Sequence, residues 1–237
     1  MTRHIGALLP ATNTIIETEY SQLPQDVLMF HYARCDKVSA GTPFHPSKDE
    51  DVAYQAKMLS YAKVEVIGVI QTSASLFEQG YDARVKKMIA ENAGVPGLTS
   101  AEEIGKAVKA LGAQRIGIVT PYSNEVIQRA ADYYGEHFGL VASGLEGFGA
   151  TDAYSIGNIS PDTATEALKR LDTPEIEVFI LPGGNFQTMK YLDGWEAAIG
   201  KPVIATNQAL VWGAMNALGI RDSLPDRGRL LADNPKG

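Results

Sequence analysis

The stretch that decides the fold is His4-Ile-Gly-Ala-Leu-Leu-Pro-Ala-Thr-Asn13, because the chain repeats its pattern as Arg115-Ile-Gly-Ile-Val-Thr-Pro-Tyr-Ser-Asn124. The two copies start 115 − 4 = 111 residues apart. Each copy is an apolar run of strand length that leads through Pro, a hydroxyl residue and Asn into a helical pattern. This pattern predicts a strand, a loop and a helix N-terminus. The repeat therefore predicts an internal duplication, with two α/β halves that hold a site between them.

Two further pairs of segments extend the duplication. Val69-Ile-Gln-Thr-Ser-Ala-Ser75 corresponds to Ile180-Leu-Pro-Gly-Gly-Asn-Phe186 at the same interval, 180 − 69 = 111 residues. Leu98-Thr-Ser100 corresponds to Ala205-Thr-Asn207 at a slightly shorter interval, and each leads into a helical segment that ends in Ala-Leu-Gly. Three pairs in the same order indicate a duplication of most of the chain.

Strand-like runs alternate with amphipathic helical segments throughout. Such alternation is typical of parallel sheets covered by helices on both faces. We therefore predict an α/β protein of two pseudo-symmetric Rossmann-like halves, each a parallel sheet flanked by helices, with the site in the cleft between them. The first half is predicted to comprise residues 1–93 plus 207–237, and the second residues 94–206. Residues 222–237, rich in Pro, Gly and charges, are expected to form a tail or arm. The predicted strands are residues 5–9, 27–32, 66–70, 116–120, 141–144, 178–181 and 203–205.

Composition argues against several classes of function. The 237 residues carry a formal net charge of −7, which leaves no basic field for nucleic acid or an anionic lipid surface. No apolar stretch is long enough to span a membrane or to act as a cleavable leader, so we expect a cytoplasmic protein. Cys35 is the single cysteine, and no Cys/His spacing indicates a zinc site, so no metal is expected.

The loops at the carboxyl ends of the predicted strands are the expected ligand site, because open parallel sheets bind ligands there. These loops contain mainly Pro, Thr, Ser, Asn and Gly, and almost no cation. Hydroxyl, amide and backbone N–H donors suit a carboxylate held at helix N-termini better than one held by arginines. The expected ligand is a small carboxylate or carbonyl compound. The loops are residues 10–14, 71–75, 121–124 and 182–185.

Six motifs extend in order along nearly the whole chain. They are Pro10-Ala-Thr-Asn13 with Glu17, Gln71-Thr-Ser-Ala-Ser75, Thr120-Pro-Tyr122, Gly157-Asn-Ile-Ser-Pro161, Gly183-Gly-Asn-Phe-Gln-Thr188, and Thr206-Asn-Gln-Ala209 with Trp212. Together they resemble the maleate isomerase and arylmalonate decarboxylase branch of the aspartate/glutamate racemase superfamily. The resemblance implies a site between two α/β halves that needs no cofactor and takes a small carboxylate or dicarboxylate. It also implies a homo-oligomer, and catalytic cysteine thiols in the loops of the second repeated pair.

The chain departs from this family at the thiol positions. Judged from the neighbouring Thr-Ser pair and the later Thr188, the two cysteine positions fall on Gln71 and Gly183. Neither side chain can add to a double bond or exchange a proton near neutral pH, so thiol addition and two-base racemisation are disfavoured. Cys35 lies outside both matched loops and is expected to be a small buried residue.

Groups that stabilise an anion survive this departure. Backbone N–H groups at Ser73, Gly183 and Gly184 are expected to add to the side-chain donors, and such donors lower the barrier to an enolate. The candidate catalytic residues are Tyr122, Thr72, Ser73, Gln71, Gly183 and Gly184. The candidate substrate-binding residues are Pro10, Asn13, Asn158, Asn185 and Asn207. His45 is a further candidate for a general acid or base, because imidazole titrates near neutral pH.

Structural roles compete with these assignments. Thr72 and Ser73 could cap the following helix, Asn13 could stabilise its own turn, and the Gly pair could serve only to turn the chain. Three functions stay open at this point. The first is a cofactor-independent enzyme that acts next to a carboxylate through an enolate, of decarboxylase or isomerase type and without a thiol. The second is a hydrolase that uses the same donors and an activated water, and the third is a non-catalytic binder of a small acid.

Overall fold

The chain forms two parallel sheets of four strands each in a computed structural model that describes residues 2–36 and 44–237. The strands are β1 (Arg3–Pro10), β2 (Leu28–Cys35), β3 (Val66–Val69), β4 (Gly97–Thr99), β5 (Arg115–Tyr122), β6 (Val141–Ala150), β7 (Val178–Leu181) and β8 (Val203–Ala205). The first sheet has the order β2-β1-β3-β4 and the second β6-β5-β7-β8. Each half therefore repeats one topology, which confirms the predicted fold.

Helices cover both sheets and begin where the sequence signals them. The Ser160 hydroxyl accepts a hydrogen bond from the Asp162 N–H at 3.3 Å, with Pro161 in the first helical position. Another helix ends at Gly94, whose φ of +70° lies in the left-handed region that favours glycine. The helices are α1 (Ile16–Tyr20), α2 (Asp49–Ser60), α3 (Thr72–Phe77), α4 (Tyr81–Ala93), α5 (Ser100–Ala110), α6 (Asn124–Phe138), α7 (Pro161–Leu171), α8 (Leu192–Ile199), α9 (Thr206–Ala217) and α10 (Arg229–Asp233).

The central strands β3 and β7 are buried along their whole length. Their uninterrupted apolar sequences are what a parallel sheet covered on both faces requires. Every predicted strand-like run overlaps an observed strand. Strand β4 was not predicted, because its sequence Gly-Leu-Thr has one large apolar residue, whereas the equally short β8 has Val203 and Ile204. The rigid central strands fix the loops at their carboxyl ends.

Helices α5 and α9 pack against each other across the two halves. The first ten residues of α9 are all buried, as expected for a helix enclosed on every side. The C-terminal segment packs on α9 as an arm, since Leu230 and Leu231 are buried and Trp212 Nε1 donates to the Pro235 carbonyl at 2.9 Å. The predicted division of the halves at residues 93/94 and 206/207 stays a prediction.

Two absences concern the described residues, 2–36 and 44–237. None of their helices combines the length and the apolar character needed to cross a membrane. They also hold no group of three or more His, Cys, Asp or Glu side chains that could bind a metal ion.

Candidate active site

Loops from both halves enclose one cavity with about 420 Å³ of empty space, counted to its mouth. Parallel pairing of Leu8 with Val69 brings the ends of β1 and β3 side by side. The cavity lies at the edge of the sheets where open parallel sheets bind ligands. Its lining combines most of the candidate residues with additional apolar ones. It consists of Pro10, Thr12, Asn13, Phe44, Ile70, Gln71, Thr72, Ser73, Tyr122, Ala153, Ile156, Gly184 and Asn185.

Three candidate residues do not line this cavity. The Gly183 N–H donates to Thr206 Oγ1 at 2.8 Å, which removes it from the donors available to an anion. The φ of Gly183 is +146°, and a Cβ there would lie 2.8 Å from Pro121 Cγ, so glycine is required for the backbone itself. Asn158 is exposed at the end of a short 3-10 turn, and Asn207 is buried below the cavity loops. Their predicted roles in binding therefore have no support in this arrangement.

Tyr122 presents a neutral phenol to the cavity. Its side chain is buried, with 4% relative exposure. Burial raises the pKa of Tyr122 well above its usual range, against the smaller opposing effect of a hydrogen bond from Ser73. The ring of Phe44 contacts the Tyr122 ring edge-on, with centroids 5.1 Å apart. The phenol is thus a hydrogen-bond donor that stays protonated at neutral pH.

Thr72 belongs to a buried cluster of three hydroxyl groups. Its Oγ1 lies 2.9 Å from Ser100 Oγ and 3.2 Å from Thr206 Oγ1. Helix α3 has no side-chain hydrogen bond at its N-cap, so the alternative capping role for Thr72 and Ser73 is not what these hydroxyls perform. Ser100 is the first residue of α5 and Thr206 is the first residue of α9, so the two are equivalent in the two halves. The sequence comparison, which pairs Ser100 with Asn207, is therefore out of register by one residue here. Sequence reasoning therefore missed both partners of Thr72.

Gln71 uses its carboxamide to hold the neighbouring loop. Its Oε1 accepts hydrogen bonds from the N–H and the hydroxyl of Ser47, both at 3.2 Å, and its Nε2 donates to the His45 carbonyl at 2.8 Å. All of these bonds go to residues 44–47, the segment that also contributes Phe44 to the lining. Gln71 stands where the resemblance implies a cysteine, and its side-chain amide holds this segment in place.

Asn13 and Asn185 brace the two halves against each other. Asn13 Oδ1 accepts from the N–H groups of Ile15 and Ile16, both at 3.0 Å, and its Nδ2 donates to the Gly184 carbonyl at 3.1 Å. Asn185 Oδ1 accepts from the Thr14 N–H at 2.7 Å, and its Nδ2 donates to a carbonyl at 2.8 Å. The turn-stabilising role considered for Asn13 is therefore observed. A primary amide carries two N–H donors, so each of these residues retains one N–H for a ligand.

Glu19 is a buried carboxylate beneath the cavity loops that the sequence did not indicate. Its Oε1 accepts from the backbone N–H groups of Thr188 and Met189 at 2.5 and 2.9 Å, and its Oε2 accepts from Asn207 Nδ2 at 2.6 Å. Burial raises the pKa of Glu19, and these hydrogen bonds oppose the rise. A single Glu on a short helix has no pattern that distinguishes it from a surface residue, so this role could not be predicted.

Cys35 and His45 lie outside the cavity lining. Cys35 is buried, and its burial raises the thiol pKa to about 12, so it is not a thiolate near neutral pH. The imidazole of His45 is in contact with the Phe77 ring, at a centroid distance of 5.0 Å, and its residue is exposed. Pro43, which precedes this segment, lies outside the described residues. The arrangement gives no support to His45 as an acid or base at the cavity.

Comparisons with known proteins agree with the fold and with the resemblance. A family model described as arylmalonate decarboxylase matches residues 43–231. The chain is 25% identical to a maleate isomerase of Alcaligenes faecalis, covering 98% of this chain and 97% of that protein. It is 24% identical to the arylmalonate decarboxylase of Bordetella bronchiseptica, covering 97% of each.

One similar solved structure is a cysteine-to-serine mutant of the Nocardia farcinica maleate cis-trans isomerase, which contains a covalently bound succinylcysteine intermediate. It superposes with a TM-score of 0.83 at 23% identity, covering 98% of this chain and 99% of that one. The likeness extends over both halves of the molecule, and hence over the loops that form the cavity.

Proposed function

The chain belongs to the arylmalonate decarboxylase family, and we propose that it is a cofactor-independent enzyme that acts next to a carboxylate of a small organic acid. The proposed reaction is of decarboxylase or isomerase type, passes through an enolate and uses no thiol. Relatives named arylmalonate decarboxylase and maleate isomerase support this class of reaction.

The chemical character of the cavity is the observation that carries the proposal. Among the described residues that line it, Tyr122 has the only ionisable side chain, and the other polar groups are hydroxyls and amides. Neutral donors in a site that excludes most water stabilise a developing oxyanion strongly, because they need little reorganisation when the charge forms. Tyr122, Ser73 and the first backbone N–H groups of α3 are the proposed donors.

Decarboxylation fits these groups better than a reaction that starts by proton removal. In a malonate-type acid, the bond between Cα and one carboxylate breaks and CO₂ leaves. The electron pair stays on Cα and spreads onto the oxygens of the remaining carboxylate, where Tyr122 and Ser73 donate. A proton from water then bonds to Cα. This sequence needs no base at its start, and no carboxylate or imidazole is among the described lining residues.

No cysteine is among the described residues that line the cavity. This distinguishes the chain from the N. farcinica isomerase, whose mutant contains a succinylcysteine. Gln71 and Gly183 stand at the two positions inferred for the family thiols, and Cys35 is buried elsewhere. Covalent addition to a double bond therefore has no nucleophile among the described lining residues. We accordingly place this chain nearer to a lyase than to a thiol-dependent isomerase.

The test is incubation with phenylmalonate, alkylmalonates and maleate in heavy water. We expect CO₂ release from a malonate, with one deuterium at Cα of the shortened acid, and no product from maleate, because the described lining residues provide no thiol. Tyr122→Phe should lower kcat by about 100-fold or more, the scale of losing one oxyanion donor. Tyr61→Phe is the matched control, because Tyr61 is exposed at the C-terminal end of α2 and is not among the residues that line the cavity, and it should leave kcat unchanged. The proposal would be contradicted if no malonate released CO₂ and no shortened acid took up deuterium.

The neutral cavity also supports a second candidate, a non-catalytic binder of a small acid. Thermal stabilisation by an acid, without turnover in wild type, would favour it. A hydrolase has less support, since an activated water needs a base and the described lining residues provide none.

A further inference from the structure

The side chain of Gln71 joins the floor of the cavity to the segment of residues 44–47, which we call the strap. The carboxamide makes three hydrogen bonds, two from Ser47 and one to the His45 carbonyl, at 3.2, 3.2 and 2.8 Å. Gln71 and Ser47 are both buried. One buried side chain therefore both accepts hydrogen bonds from the strap and donates one to it.

The strap in turn forms one wall of the cavity. Phe44 is buried in the lining and contacts the ring of Tyr122 edge-on at 5.1 Å and the ring of Phe77 at 6.4 Å. Ile156 also lines the cavity and is likewise apolar and buried. The position of the Phe44 ring thus limits the space next to the Tyr122 phenol.

We propose that Gln71 is a specificity-determining residue, which holds the strap so that Phe44 limits the cavity to acids with a small substituent. This inference rests on the proposed function, because it concerns the acid that the same cavity takes. A glutamine is suited to this role, since one carboxamide can accept from and donate to a single backbone segment at once. The same residue cannot also act as a nucleophile, so the chain replaces the expected thiol with a determinant of cavity size.

Hydrogen exchange at the Ser47 amide tests the contact without any assumption about activity. Gln71→Met keeps much of the side-chain volume but removes all three bonds, and Gln71→Ala removes the volume as well. Both variants should raise the exchange rate of the Ser47 amide by about tenfold or more. Gln114→Ala is the matched control, because Gln114 is exposed at the opposite end of β5. An unchanged Ser47 rate in a folded Gln71→Met would overturn the proposal.

Binding of acids of increasing size tests the specificity. Dissociation constants are measured for acetate, propionate, butyrate and phenylacetate, which have no second carboxylate to lose, with wild type, Gln71→Met, Gln71→Ala and Gln114→Ala. Gln71→Ala should change the ratio of phenylacetate to acetate affinity by about tenfold in favour of the larger acid. An equal change for all four acids, or no binding of any acid, would overturn the specificity role.

The two proposals fail separately. If wild type binds the acids and the ratio of phenylacetate to acetate affinity shifts in Gln71→Ala, but no malonate loses CO₂, the specificity role stands and the enzymatic function fails. If wild type releases CO₂ but the size ratio is unchanged in Gln71→Ala, the function stands and the specificity role fails.

Discussion

Thr206→Val should destabilise the protein by about 1.5–4.5 kcal/mol. The buried Thr206 hydroxyl accepts from the Gly183 N–H at 2.8 Å and lies 3.2 Å from Thr72 Oγ1. Valine keeps the branched shape, so the change removes the oxygen and leaves the packing nearly intact. The orphaned buried N–H of Gly183 costs about 1–3 kcal/mol, and the lost hydroxyl contact about 0.5–1.5 kcal/mol. Together these give the expected range.

Urea unfolding measures this change as a shift of the transition midpoint at constant slope. Thr163→Val is the matched control, since Thr163 is exposed on α7 and its substitution should stay within about 0.5 kcal/mol. A loss below about 0.5 kcal/mol for Thr206→Val would refute the reasoning, because it would mean that the Gly183 N–H finds another partner at little cost.

Three further predictions follow from the same contacts. Burial raises the pKa of Glu19 above the unfolded value of 4.5, so its stabilising contribution is full below about pH 4.5 and is lost as pH rises through the raised pKa. The difference in unfolding free energy between Glu19→Gln and wild type should therefore move in favour of Gln from pH 4.5 to 8, and a pH-independent difference would contradict this. Gly184→Ala should weaken binding of malonate and cost about 1–3 kcal/mol of stability, because the added Cβ would lie 2.6 Å from Ile70 Cγ2. Titration calorimetry measures the loss of binding, and urea unfolding measures the loss of stability. Iodoacetamide at pH 8 should leave Cys35 mostly unmodified for hours in the folded protein, because burial raises the pKa of its thiol to about 12. Mass spectrometry measures the modified fraction, and rapid modification would contradict a buried thiol.

The fold was predictable because its signals are local and occur twice. Apolar runs followed by Pro, a hydroxyl residue and Asn mark the ends of β1 and β5, and the repeated topology places both ends beside one cavity. The short strand β4 was missed because Leu98 is its only large apolar residue, whereas β8, of the same length, begins with Val203 and Ile204. Sequence could thus indicate where the loops lie, since open parallel sheets bind ligands at the carboxyl ends of their strands.

The roles of single side chains were less predictable, since they depend on contacts between distant segments. Asn13 and Asn185 line the cavity, yet much of their hydrogen-bonding capacity joins the two halves, and their role in binding an acid stays a prediction. Asn207 was assigned by its motif, but its amide donates to the buried Glu19. Phe44 was absent from the predicted site because a loop aromatic shows no sign of the cavity that it covers.

The two halves provide equivalent positions but unequal chemistry. Ser100 and Thr206 begin equivalent helices, and both reach Thr72, so the repeated fold accounts for a rigid hydroxyl cluster at the base of the cavity. Strand pairing of Ile5 with Val66 and of Ile116 with Val178 gives an interval of 178 − 66 = 112 residues, one more than the sequence comparison, and makes Gln71 equivalent to Gly183. Even so, Gln71 holds the strap while Gly183 gives its N–H to Thr206. Because Gln71 and Gly183 both hold neighbouring segments in place, neither is available for catalysis. The remaining neutral donors of the cavity can stabilise a negative charge. For that reason a reaction that only requires an anion to form, such as loss of CO₂, suits this chain better than one that requires a base or a nucleophile.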